Sequence, residues 1–427
     1  MTESFPETRA LLKTLYGAAV RAALPGAILG RHLPSPPKGR LVIFAIGKAA
    51  AAMAAAAEAH YVDAALEGLA LTRYGHGRPT RSIEVVEAGH PVPDANGVAA
   101  SARILDMAKS LGPDDFALVL ISGGGSALAA LPIDGVSLDD KRGLTRALLA
   151  SGTPIADINC IRKHLSRIKG GRLAQAIAPA PSLTLAISDV AGDDPAVIAS
   201  GPTVPDPTTR ADARAALRKF HIEANANIIA ALESAPESPK PGDPIFAKAR
   251  YELIASGAAS LKAAAEIATA HGYEVIDLGD RVEGEARDVA TRHARLALEA
   301  RRDGRRVAIL SGGELAVTFM EKTAGRGGPN QEYALALALA LQGAPGIAAL
   351  AGDTDGIDGG SGAADDPAGA LVLPDTLARA HTLALDPLSH LAAHDSGSFF
   401  APLGDLLQTG PSYTNVNDFR VILIERP

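Results

Sequence analysis

Short aliphatic runs alternating with Ala-rich stretches constrain this chain more than any other feature. LVIFAIG leads into KAAAAMAAAAEAHYV, FALVLIS into helical patterns from Leu138 to Leu165, and LTLAISD into a long loop. Brief apolar runs that alternate with helical periodicity predict βαβ units and therefore a parallel sheet. Glu233 to Asp243 holds Pro236, Pro239 and Pro241 among Ser, Glu and Gly, with Pro244 just beyond, and is expected to divide two units. The pattern then restarts with YELIAS, YEVIDLG, RVAILSGGE, AVTFME and GIAALAGD, separated by helices at Leu261 to His271 and Glu283 to Asp303, and ends on FRVILI. RVAILSGGE and AVTFME are too close for a helical crossover and read as a hairpin or neighbouring antiparallel strands, so the second unit is expected to be mixed. At 427 residues the chain exceeds the size at which one core stops growing, which favours domains at 1–235 and 245–427. The fold class is α/β, a parallel-sheet domain followed by a smaller mixed α/β domain.

Composition narrows the function classes. A formal net charge of -7, spread along the chain, disfavours non-specific attraction to nucleic acid. The lone cysteine, Cys160, rules out an internal disulfide and a Cys-based metal cluster, and reads as a packing residue in a reducing compartment. The first residues, MTESFPETRALLKTLYGAAV, carry charges throughout and read as an ordinary helix rather than a secretion signal. The apolar stretch Tyr333 to Leu341 is far shorter than the roughly 20 residues of a membrane span. A cytoplasmic protein without nucleic-acid or membrane partners is the expectation, with a homodimer left open.

Five predicted strands end alike, in small residues followed by a polar group: AIGK48, LISGGGS126, AISDVAGDD194, LSGGE314 and LAGDTDG356. In open α/β sheets ligands bind beyond the carboxyl ends of strands, so this recurrence points to a site. Ser122, Gly123, Gly124, Gly125 and Ser126 leave backbone N–H groups accessible to a phosphate or carboxylate, although a plain strand-to-helix turn accounts for them equally well. Lys48 sits at a helix start where its charge opposes the dipole, which suggests an anionic ligand. The frame is not a P-loop, since Val42 and Ala49 occupy required Gly and Ser/Thr positions. Asp189, Asp193 and Asp194 in one loop, and Asp353, Asp355 and Asp358 in another, suit Mg²⁺ or Mn²⁺. The second loop only superficially resembles an EF-hand, and for Asp194 and Asp358 a solvated-loop role is favoured. In TAGRGGPNQE, Asn330 and Glu332 suit a helix start, whereas Arg326 between glycines can reach a phosphate. Asn159, Arg162, Lys163, His164, Lys169 and Arg172 form a basic stretch that serves either as a solvated face or as an anion site. Glu314 and Asn330 join Ser122 to Ser126, Asn159, Arg162 and Lys163 as substrate- or phosphate-binding candidates.

Together GHPVPD, LISGGGSAL, NCIRKHLSRIKGGRLA, SDVAGDD, SGP, LSGGE, GRGGPNQE, AGDTDGIDG and TGPSYTNVND resemble the glycerate 2-kinases, in the right order and over nearly the whole chain. The resemblance implies a Rossmann-like N-terminal domain, a C-terminal domain of the MOFRL type and an active site in the cleft between them. It implies transfer of the γ-phosphoryl of ATP to the 2-hydroxyl of D-glycerate with Mg²⁺, giving 2-phosphoglycerate. Lys48 would face the transferring phosphoryl or the substrate carboxylate, and Ser122 to Ser126 would cradle an anion. Asp189 and Asp193 would hold metal or orient the hydroxyl, with Asp189 as candidate base, and the Asp353/Asp355 loop would complete the metal site. One departure stands out: the family pattern has Arg immediately before Asn-Gln-Glu, where this chain has Pro329. Arg326 is then the nearest replacement, with Lys163 or Arg162 as the other sources of charge. The competing function is an NAD(P)H-dependent hydroxypyruvate reductase, and a non-catalytic organic-acid sensor is a third class. Against the reductase, Gly123 and Gly125 begin a dinucleotide fingerprint that Leu128 breaks.

Overall fold

The computed structural model describes residues 5–318, 325–360, 363 and 365–426. The chain divides into two compact units, one formed by Pro25–Ile254 and the other by the segment up to Leu24 together with everything from Ala255 onward.

The Pro25–Ile254 unit is built on β1 (Leu41–Ile46), β2 (Leu66–Arg73), β3 (Ile83–Ala88), β4 (Phe116–Ile121), β5 (Ser182–Ile187) and β6 (Ala249–Ala255). Their order is β3-β2-β1-β4-β5-β6, and the pairs from β3 through β5 are parallel. β1, β4 and β5 read as unbroken apolar runs because helices bury both faces. One face packs Phe44, Ile46, Leu69, Val119 and Ile121 against Ile104 and Leu105 of the helix Ala95–Lys109. Strand order reverses between β1 and β4, so the ends of these two strands flank the crevice where such sheets take ligands.

The other unit has β7 (Glu274–Asp277), β8 (Gly284–Glu285), β9 (Val307–Ser311), β10 (Leu315–Ala316), β11 (Ile347–Asp353), β12 (Gly369–Val372), β13 (Leu406–Leu407) and β14 (Asp418–Ile424). Its main sheet runs β13-β12-β11-β14-β9-β7 and is mixed as expected: β7 lies parallel to β9 and the other pairs are antiparallel. The anticipated pairing of β9 with the strand after it does not occur. β9 lies between β14 and β7, and β10 pairs in parallel with β8. Phe319, Met320 and Glu321 of the anticipated AVTFME strand lie outside the described residues.

The expected 1–235 and 245–427 boundaries need correction at both ends. The first helix, Pro6–Arg21, buries Leu12, Leu15, Tyr16 and Ala19 with the helix Gly257–Ala270 over Leu310, Leu350, Phe419 and Val421 of the second sheet. Alternate residues of the same strands, including Ile309, Ala349 and Ile422, face the helices Ala286–Arg302 and Pro329–Leu341 on the opposite side. The first helix is fastened by polar bonds as well: Tyr16 Oη donates to Asp353 O at 2.7 Å, Ser260 Oγ to Ala19 O at 2.7 Å, and Arg9 pairs with the buried Asp405. At the other end, the Pro-rich segment is part of the Pro25–Ile254 unit. Arg172 donates to Pro236 O at 3.0 Å and Glu237 O at 3.2 Å, and the YELIAS run becomes β6 on the edge of the first sheet. Proline density marks a loop, but only these tertiary bonds decide which core the loop joins.

Among the described residues no helix is long and apolar enough to cross a membrane. Because Leu15 is fully buried under the second sheet, Leu15→Ala should destabilise the protein by about 2–5 kcal/mol. Chemical denaturation of wild type and variant measures this, with a lowered midpoint at unchanged slope as the expected outcome.

Candidate functional site

In the Pro25–Ile254 unit, the ends of β1 and β4 are stitched together by short loops. Lys48 N donates to Gly123 O at 2.8 Å, Ala49 N to Ser122 Oγ at 3.0 Å, and Thr72 Oγ1 to Lys48 O at 3.2 Å. Gly47 has φ +133° and lies so close to Ser122 that any Cβ there would overlap it. Ser122 is fully buried, and its hydroxyl serves the entry of the helix Ala50–His60. Gly124 has φ +79°, and a Cβ there would come within 2.9 Å of His90 Nε2 and 3.2 Å of Lys48 Cγ. Lys48 and His90 therefore converge on the glycine loop. His90 lies in the GHPVPD motif but was not among the sequence candidates, because one histidine beside prolines carries no spacing signal.

Gly125 opens the short helical turn Gly125–Leu128, and Ser126 Oγ meets Ser200 Oγ at 2.7 Å. Ser200 and its neighbour Ala199 both take the left-handed conformation, φ 61° and 50°, a strained pair for residues with side chains. Ser200 O also accepts Gly170 N at 3.0 Å, and Gly201 O accepts Gly171 N at 2.8 Å. The SGGGS, SGP and KGG segments thus form one assembly of loops beyond the sheet.

The basic stretch separates into two groups. Lys163 Nζ lies 3.5 Å from the buried Asp206 carboxylate, and His164 Nε2 lies 3.3 Å from Glu237. Arg172 spends its guanidinium on the carbonyls of Ser166, Pro236 and Glu237. Lys163 is therefore buried with an acidic partner of its own. Arg162 and Lys169 have no such acid among the described residues. Burial lowers the pKa of each, and for Lys169 the charges of Lys141 and Arg162 add to the effect. Asn159 is buried three residues before Arg162, on the same helical face. Cys160 is buried and unpaired with another cysteine, as its surroundings predict.

Asp189, just beyond β5, and Asp193, with φ 57°, are both half-buried on one loop. Asp194 is exposed and caps its own turn, accepting Ala196 N at 2.8 Å.

In the other unit the acidic loop is more deeply built in than expected. Asp353 Oδ1 accepts Asp355 N at 2.8 Å, and Asp355, itself buried, accepts Ile357 N at 2.9 Å. Asp358 overturns the solvated-loop expectation: it is 2% exposed and caps the helix Pro329–Leu341 from outside, accepting Asn330 N at 2.9 Å and Gln331 N at 2.8 Å. Burial pushes its carboxyl up to about 7 against the pull of these N–H donors, and nearby Asp418 pushes the same way. Asn330 does not cap the helix, and its Oδ1 is buried without a hydrogen-bond partner among the described residues. Its amide donates to Asp358 at 3.2 Å and to Asp418 Oδ1 at 2.6 Å, and Asp418 pairs with the buried Arg420 at 2.8 Å. Glu332 is likewise buried, 2.7 Å from Arg287 and 3.0 Å from His394.

A cavity of about 830 Å³ lies within this unit, lined by Arg326, Gln331, Glu332, Asp358, His394 and Ser396 among others. Arg326 is exposed, and its backbone is pinned by Asp395 Oδ1 at 2.8 Å and Gly397 N at 2.7 Å. Gln331 Oε1 is buried without a hydrogen-bond partner and so can receive a donor. Glu314 is exposed after β9 and does not line this cavity.

The donor set bears on a metal. Among the described residues no three His, Cys, Asp or Glu side chains gather closely enough to hold an ion by themselves. Mg²⁺ needs only one or two carboxylates when phosphates and waters supply the rest, and Asp189 and Asp193 meet that demand. Asp355 does not, because its carboxylate is buried and turned to its own loop. Asp353 spends its Oδ1 on the same turn.

Comparison with known proteins agrees with this architecture. Residues 11–233 match the family described as a domain of unknown function, DUF4147, and residues 307–418 match the MOFRL family. A D-glycerate 2-kinase from Thermotoga maritima is 37% identical over 95% of this chain and 96% of its own. A protein of Agrobacterium vitis provisionally named hydroxypyruvate reductase is 48% identical over 99% of this chain and 96% of its own. The crystal structure of glycerate kinase from Thermotoga maritima superposes with a TM-score of 0.87 at 36% identity, covering 98% of this chain and all of that one. With both domain families matched in order and the fold shared from end to end, the chain belongs to the glycerate 2-kinase family.

Proposed function

We propose that this protein transfers the γ-phosphoryl of ATP to the 2-hydroxyl of D-glycerate, giving 2-phosphoglycerate and ADP. The observation that carries this reading is the convergence of Lys48 on the glycine loop at the β1/β4 switch point. Phosphoryl transfer passes through a loose transition state, so a protein contributes mainly position and positive charge. Lys48 is fixed through both its N–H and its carbonyl, which holds its ammonium on a short tether near the loop. Asp189 is assigned to orient the acceptor hydroxyl and take its proton, and Arg326 to contact phosphate oxygens. Mg²⁺ is the metal these hard oxygen donors suit, with Asp189 and Asp193 as its protein ligands; when bound it would neutralise charge on the nucleotide phosphates.

Reduction of hydroxypyruvate is the second reading, favoured by the names of the Agrobacterium relatives. The fingerprint for a dinucleotide argues against it. Leu128, standing where the third glycine belongs, is fully buried in the core of the sheet. The purified protein should convert ATP and D-glycerate to ADP and 2-phosphoglycerate, and should not oxidise NADPH or NADH with hydroxypyruvate. The opposite pair of results replaces the kinase reading with the reductase.

Lys48→Ala should lower kcat by about a hundredfold or more while changing the glycerate KM far less, because a preorganised charge acts most strongly on the transition state. A near-normal kcat in the folded variant removes Lys48 from the chemistry. Excess EDTA should abolish turnover and added Mg²⁺ should restore it, and full activity in EDTA excludes the divalent ion.

A further inference from the structure

Lys141 is a residue whose position the reaction has not yet explained. It lies on the helix Leu138–Ala150, three residues before Leu144 and seven before Leu148, on the face those leucines bury. Only 9% of it is exposed, and its Nζ is enclosed without any hydrogen-bond partner. Arg162 and Lys169 lie close enough for their charges to act on one another and on Lys141. Among the described residues no carboxylate forms an ion pair with any of the three. The contrast with their neighbours is sharp: Lys163 has Asp206, Arg167 has Asp134 at 3.3 Å, and Arg172 has three carbonyls.

Burying a charge without a counter-charge is costly, so a cluster of three cations is explained by a partner that the described residues do not supply. Lys169 connects the cluster to the glycine loop, since its Nζ donates to Ala129 O at the end of the turn Gly125–Leu128. Arg162 is the least buried of the three and marks the side open to a ligand.

We propose that Lys141, Arg162 and Lys169 form an oxyanion-binding site behind the glycine loop, with Lys141 as a ligand-binding residue. The kinase reading supplies two sources for the oxyanion, the carboxylate of the hydroxy acid and a phosphoryl group of the nucleotide or product, and only this identity rests on that reading. Without the anion, burial and the neighbouring Arg162 pull the Lys141 ammonium down to about 7, the behaviour of an amine lacking its counter-charge. Anion binding would restore its charge and supply the missing acceptor.

Thermal unfolding of the full chain tests the site without requiring turnover, using inorganic phosphate, ADP and D-glycerate separately as probes. Lys141→Met keeps the length and apolar stem but removes the charge. It should unfold at the same or a higher temperature than wild type in the absence of anions. Its affinity for the responsible oxyanion should fall by about tenfold to a hundredfold, the loss expected for one charge-assisted hydrogen bond. Loss of the response to phosphate and ADP identifies a phosphoryl site, and loss of the response to D-glycerate alone identifies a carboxylate site. If Lys141→Met does not fold, Arg162→Met carries the same comparison from the more open side. Unchanged stabilisation of the variant by all three probes, or a wild type that none of them stabilises, overturns the proposal. A wild type stabilised by phosphate but unable to phosphorylate glycerate would instead leave the site standing and remove the kinase reading.

Discussion

The Asp358 carboxylate holds the second unit together at its most demanding point. The helix Pro329–Leu341 is buried on nearly every side, so the N–H groups of its first turn have no water to turn to. Asp358 supplies their acceptor from a different loop, and Asn330 continues the chain of bonds to Asp418 and thence to Arg420. Arg420 in turn reaches Ser311 Oγ at 3.3 Å and the carbonyl of Gly312. Four strand- and helix-end segments, SGG, PNQE, GID and NVND, are thereby tied through one buried polar network. Buried hydrogen bonds joined in this way reinforce one another and fix the arrangement of the loops that emerge from them, while Asn330 Oδ1 is left without a partner among the described residues. Several residues that look chemical in the sequence are accordingly the fastening of a site rather than its contents.

The first unit uses backbone more than side chains for the same purpose. Glycines at the ends of β1 and β4 allow the two loops to approach until Lys48 N bonds to Gly123 O, and Ser122 completes the junction from within. What remains at these two strand ends is consequently small: Gly124 and Ser126, both partly exposed, with Lys48 and His90 beside them. The division of the basic stretch into compensated and uncompensated charges follows from this geometry. Asp206 and the Pro-rich segment occupy one side of the helix Ile155–His164 and neutralise what lies there, while Arg162 faces away from them.

Much of the fold was legible because burial on both faces leaves a local trace. LVIFAI, FALVLI and SLTLAI announce central parallel strands, whereas the second sheet is mixed through the antiparallel neighbours of β11 and β14 and not through the short spacing around SGGE. β3, with the exposed edge pattern of IEVVEA, leaves no comparable trace. The strand-end loops that carry the candidate site were legible for a similar reason, since glycine and serine after an apolar run are local chemistry. His90 and Lys141 were not, for one stands alone in its motif and the other is a lysine at an apolar position whose meaning depends on residues more than twenty positions away.

The sequence by itself determined the α/β class, the mixed second sheet, the Gly-rich loops at the strand ends and the family, because each is written in local periodicity or in ordered motifs. Only the tertiary structure decided that the first helix belongs to the second sheet and that the Pro-rich segment belongs to the first unit. It alone decided that Asp358 is buried at the start of the helix Pro329–Leu341, and that Lys141 stands near Arg162 and Lys169 with no acidic partner among the described residues. Each of these depends on partners distant in the chain, such as Leu15 against Phe419 or Arg172 against Pro236, and on burial that converts an ordinary polar residue into one that must be paired.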